Sequence, residues 1–63
     1  MDQPFSGRHI LVVEDEMMIL MMMEEMLADL GASVTAAATI SQALAKIDGQ
    51  VFDGLLEGSV GGL

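Results

Sequence analysis

The sequence predicts an α/β fold, half of a doubly wound parallel sheet in which three strands alternate with two helices. Three observations carry the prediction. Ile10, Leu11, Val12 and Val13 form an unbroken, β-branched-rich run, the pattern of a strand covered on both faces of a parallel sheet. Ile19, Met22, Met23, Met26, Leu27 and Leu30 then recur at spacings that line one side of a helix. The strand-then-helix pattern repeats once and ends in a third strand. Alternation of this kind implies right-handed crossovers, with helices packed on the faces of the sheet.

Each element has its own punctuation. Residues 1–7 read as a short flexible lead, and residues 8–63 as the domain proper. The first strand stops at Glu14, Asp15 and Glu16, acids that suit the positive end of the helix that follows. Gly31 stands where a left-handed C-terminal cap belongs. Residues 33–37 make the second strand, resting on Val34 and Thr35. Thr39 and Gln42 have the spacing of a capping box that opens the second helix. Ile40, Ala43, Leu44 and Ile47 give that helix its apolar stripe, Lys46 sits in its last turn, and Gly49 closes it. The third strand covers residues 51–56, from Val51 to Leu56, with Asp53 near its start. Gly58, Gly61 and Gly62 mark a loop.

Composition narrows function before any motif does. A chain of 63 residues that is 52% hydrophobic is too apolar for disorder. It is also so short that folding hides only about 60% of the surface of the unfolded chain. Cys is absent, so no disulfide staples it, and one His without Cys makes no structural zinc site. A partner is the remaining source of stability. The net charge of −8, with only Arg8 and Lys46 positive, excludes a nucleic-acid surface and an anionic membrane patch. It points to cations or basic partners. Residues 1–7 lack the basic start and apolar stretch of a signal peptide. Acids at positions 14–16 and 24–25 cut the apolar segments below membrane-spanning length, so a cytoplasmic location is expected.

The acids at the strand ends are the candidate site. In a doubly wound sheet, ligands bind beyond the carboxyl ends of the strands, where the strand order switches direction. Glu14 and Asp15 end the first strand and Glu57 ends the third. If those strands are neighbours, three carboxylates converge on one rim. Crowded carboxylates repel, so they recruit a hard cation or raise a pKa. Mg²⁺ suits such a rim, because it takes one or two carboxylates and keeps several waters.

These segments resemble the receiver domains of response regulators, over residues 8–63 but only across the first half of that fold. Residues 10–16, Ile-Leu-Val-Val-Glu-Asp-Glu, are similar to the family's first strand and its acidic pair. Leu30-Gly31 followed by Val34 resembles the turn into the second strand. Residues 51–62, Val-Phe-Asp-Gly-Leu-Leu-Glu-Gly-Ser-Val-Gly-Gly, resemble the third strand and the loop after it. The resemblance implies half of a flavodoxin-like sheet, a truncated receiver-like domain of two-component phosphorelay signalling. It implies Asp15 as the direct Mg²⁺ ligand, Glu14 as the second acid, and the backbone carbonyl of Ser59 as the third protein ligand. Glu57 falls at the phosphoacceptor position and on the metal rim when Gly61-Gly62 sets the alignment. Counted forward from Phe52-Asp53, Gly58 falls there instead. On either count no Asp stands at the acceptor, so ordinary aspartyl-phosphate chemistry is not expected. The family's later switch hydroxyl and phosphoryl-binding Lys have no counterpart, since Lys46 lies in the second helix, away from the strand rim.

The functional expectation is therefore a divergent or truncated receiver module, not an enzyme. It would bind Mg²⁺ and work through contacts with a histidine kinase or a downstream signalling protein. In the family the strand order begins 2-1-3 and a fourth strand covers the third. Here the third strand is an open apolar edge, so a homodimer joined through Val51 to Leu56 about a two-fold axis is expected. The alternative is a structural dimerisation module whose acids bind neither metal nor phosphoryl group. A nucleotide- or flavin-binding half-domain is disfavoured, because Trp, Tyr and a Gly-x-Gly-x-x-Gly loop are all missing. Plainer readings stand beside these. Glu57 serves equally as a loop acid, and His9 is expected at the surface. Met17, Met18 and Met21 lie off the main stripe of their helix, so some are exposed or at an interface.

Overall fold

The computed structural model describes residues 3–58. Three strands, β1 (His9–Val13), β2 (Ser33–Ala37) and β3 (Gly54–Glu57), form one parallel sheet in the order β2-β1-β3. Helices α1 (Met17–Asp29) and α2 (Ile40–Ile47) make the two connections. β1 pairs with β2 from His9↔Ser33 to Val13↔Ala37, and with β3 from Ile10↔Gly54 to Val13↔Glu57.

The apolar run that predicts β1 explains its central place. Leu11, Val12 and Val13 are all buried, and they feed two separate clusters. Leu11 and Val13 join Ala37 and Ala43, with Ile40 and Phe52 packed alongside. Val12 joins Leu20 and Leu27, with Ile10, Met23, Val34 and Leu56 alongside. Alternate residues of one strand thus serve opposite faces, α2 covering one and α1 the other. Both helices lie over β1 and β2, and neither lies over β3.

The ends of the helices follow local chemistry. Gly31, at φ +95°, places its N–H on the Ala28 carbonyl while Ala32 donates to Leu27, the paired bonds of a left-handed cap. Thr39 caps α2 by accepting from the Gln42 N–H at 3.0 Å. Gln42 returns the favour one residue earlier than a standard capping box, its Oε1 accepting from the Ala38 N–H.

Two expectations need correction. The buried side of α1 runs through Leu20, Met23 and Leu27, whereas Ile19, Met22 and Met26 are exposed. The sheet offers cover only beneath β1 and β2, so half of the apolar stripe has nothing to pack on. The third strand begins three residues later than expected, at Gly54, and Val51 is 86% exposed. Asp53 sets that start. Its N–H donates to the His9 carbonyl, while its carboxylate accepts from the His9 N–H at 2.8 Å, so the side chain stands in for the first ladder bond. Within the expected lead, residues 4–7 make a turn, and the Phe5 N–H donates to the Leu30 carbonyl. Among the described residues, no helix is long and apolar enough to cross a membrane.

Candidate functional site: the acidic corner

The backbone ladder carries past the end of β1 on both sides. The Glu14 N–H donates to Ala37 of β2, and the Gly58 N–H donates to the Val13 carbonyl at 2.8 Å. Residue 14 is therefore held between the carboxyl ends of both neighbouring strands. Continuing the β1–β3 register by one step places Gly58 beside Glu14, just as Glu57 lies beside Val13.

Glu14 is the only charged residue in the buried core of the described chain, at 0% exposure. A buried carboxylate is costly unless it is hydrogen-bonded. One partner is the Glu16 N–H, which donates to Oε1 at 3.0 Å across the turn into α1. Room for the carboxylate comes from Gly58. A Cβ built there would lie 1.7 Å from Glu14 Oε2 and 2.6 Å from its Cδ. Any side chain at Gly58 competes with Glu14 for the same space. Locally, the corner behaves as a carboxylate that ties the β1–α1 turn together from inside.

Glu14, Asp15 and Glu57, the three carboxylates expected on one rim, differ in burial. Glu14 is enclosed, whereas Asp15 and Glu57 face solvent. Among the described residues, no group of three or more His, Cys, Asp or Glu side chains is placed to hold a metal ion. Asp15 and Glu57 remain exposed near the carboxyl ends of the neighbouring strands β1 and β3. Ser59, the expected carbonyl ligand, lies outside the described residues. Of the two acceptor alignments, Gly58 rather than Glu57 is the residue next to Glu14.

Sequence reasoning missed a second polar cluster, at the opposite end of the strands. His9 is half-buried, its Nε2 lies 2.7 Å from Thr35 Oγ1, and its ring centroid is 4.3 Å from that of Phe52. The expectation of a surface His9 is thus corrected. Arg8 reaches Asp53 at 3.8 Å on the same side, and both are solvent-exposed, so this pair is a weak one. Only the strand register could have signalled this grouping. Lys46 is likewise less remote than expected, since its Nζ donates to the Ala36 carbonyl near the end of β2.

No family model and no curated protein matches the chain.

Proposed function

We propose that the chain is a receiver-like module of two-component signalling that acts in the cytoplasm through protein contacts and accepts no phosphoryl group itself. The observation that carries this reading is the pairing of Glu14 with Gly58. Beside the acidic pair, where a phosphoacceptor would need a carboxylate, stands a residue without a side chain, and Glu14 fills the space. The strand order β2-β1-β3 and the Glu14-Asp15 pair at the carboxyl end of β1 support the receiver-like half of a flavodoxin-like sheet. The contacts run through β3, which has an open edge and no helix over it. A second copy of the chain pairs at that edge, and a histidine kinase or downstream signalling protein is the signalling partner. Incubation with acetyl phosphate and Mg²⁺, followed by intact-mass spectrometry, should leave the mass unchanged. A stable gain of one phosphoryl group would overturn the reading.

A Mg²⁺-loaded receiver is the second reading, favoured by the exposure of Asp15 and Glu57 at the ends of neighbouring strands. Calorimetric titration of Mg²⁺ into wild type and Asp15→Ala separates the two. Negligible heats in both agree with a structural corner. Heat in wild type that disappears in Asp15→Ala would establish the metal site instead.

A further inference from the structure

The apolar stripe on α1 is wider than the sheet beneath it can cover. Ile19, Met22, Met26 and Leu30 follow one another at spacings of 3 or 4, one line along the helix. Ile19, Met22 and Met26 are 39%, 65% and 52% exposed. This line borders β3. Its C-terminal half forms one wall of a groove of about 320 Å³, where Met26 and Leu30 face Ile10, Leu55 and Leu56, with Phe5 at one end. From residue 19 to residue 30 the stripe is about 16 Å long, some three helical turns.

Charge marks out the occupant. The exposed acids Glu25 and Asp29 stand next to Met26 and Leu30 along α1, in a chain whose net charge is −8. The two cations of the chain do little to offset them. Arg8 faces Asp53, and Lys46 donates to Ala36 on the opposite edge of the sheet.

We propose that this groove receives a basic amphipathic helix of another protein, apolar along one side and flanked by Lys or Arg. The apolar line supplies contact area, and the acids select the sign of the partner. Met suits the wall because its flexible thioether adapts to different apolar surfaces. A second copy does not supply this occupant, because its only cations are Arg8 and Lys46 and neither of its helices is flanked by Lys or Arg along an apolar side. The inference uses only the stripe, the groove and the charge, so it stands whether or not the chain is receiver-like.

The test uses the full chain with Met methyl groups labelled for NMR, in about 0.15 M salt. The probe is a fluorescent Leu/Lys amphipathic peptide of about three to four turns. A scrambled peptide of the same composition and a Leu/Glu counterpart serve as controls. Wild type should bind the Leu/Lys helix at least about tenfold more tightly than either control. Binding should shift the Met22 and Met26 methyls and leave Met17 unmoved. Met26→Gln combined with Met22→Gln changes two exposed residues of the stripe without changing charge or touching the β3 edge, and should weaken binding about tenfold while the circular dichroism spectrum holds. Asp29→Asn should weaken it more than Asp48→Asn, on α2. Equal binding of the scrambled peptide, or indifference to Met26→Gln/Met22→Gln, would reduce the effect to net charge and overturn the proposal. So would contacts from a second copy to the Met26 methyl in the free protein.

Discussion

Replacing Gly58 by Ala tests the acidic corner at its tightest point. The added methyl would lie 1.7 Å from Glu14 Oε2, 2.6 Å from Cδ and 3.3 Å from Cβ. A swing of the carboxylate would relieve the first clash, but Glu14 is wholly enclosed and its other oxygen holds the Glu16 N–H. The side chain must therefore give up that bond or be forced against its surroundings. Overpacking by a methyl costs about 1–3 kcal/mol. Losing a hydrogen bond to a charged group costs about 1.5–3 kcal/mol. These are alternative ways of relieving one clash, so the expected loss is about 2 kcal/mol rather than their sum. At about 0.05–0.15 kcal/mol of stability per residue, a chain this short has only a few kcal/mol in total. Urea unfolding followed by circular dichroism reads the effect for Gly58→Ala, Glu14→Ala and the double variant. Because Glu14→Ala removes the obstacle, the double variant should be more stable than additivity predicts by about 1 kcal/mol or more. A Gly58→Ala chain within about 0.5 kcal/mol of wild type, or strict additivity, would refute the packing argument.

Two further substitutions probe the frame around the site. Asp53→Ala should cost about 1 kcal/mol and speed hydrogen exchange at the His9 amide, because it removes the carboxylate that accepts from that N–H; unchanged exchange would show that the clip is unimportant. Gly31→Ala meets both a φ of +95° and Gln3 Cβ at 2.9 Å, so a loss of at least about 1 kcal/mol is expected in the same urea assay. A Gly31→Ala chain as stable as wild type would contradict the docking of residues 3–7 against the end of α1.

What the sequence reveals here is what local chemistry decides. β2 has the bounds its residues announce, and the caps at Gly31 and Thr39 form where the residue types require them. Each of those features depends on a few neighbours along the chain. The buried side of α1 does not, because Met and Ile at positions 19, 22 and 26 look as apolar as Leu20 and Leu27. Which of them is covered depends on how far the sheet extends beneath. The start of β3 was equally hidden, since an Asp in a strand-like run gives no sign that its carboxylate will bond a residue 44 positions earlier. The acidic corner was half legible. Glu14 and Asp15 stood out as strand-ending acids, but the sequence alone does not say that Glu14 turns inward. That outcome needs Gly58 brought alongside by the β1–β3 register, and the same long-range pairing sets His9 against Thr35 and Phe52.

The account rests most heavily on β3 as a contact edge that a second chain completes. Two chains of charge −8 repel, but ions at physiological strength screen charges beyond about 8 Å, whereas edge pairing and apolar burial act at contact. Size exclusion with light scattering, at micromolar concentration in physiological salt, measures the assembly directly. The account predicts a mass near twice 6.7 kDa, falling to that of one chain in Leu55→Lys, which places a charge beside the open edge. A wild-type chain that scatters as a single copy, while circular dichroism shows it folded, would contradict the claim.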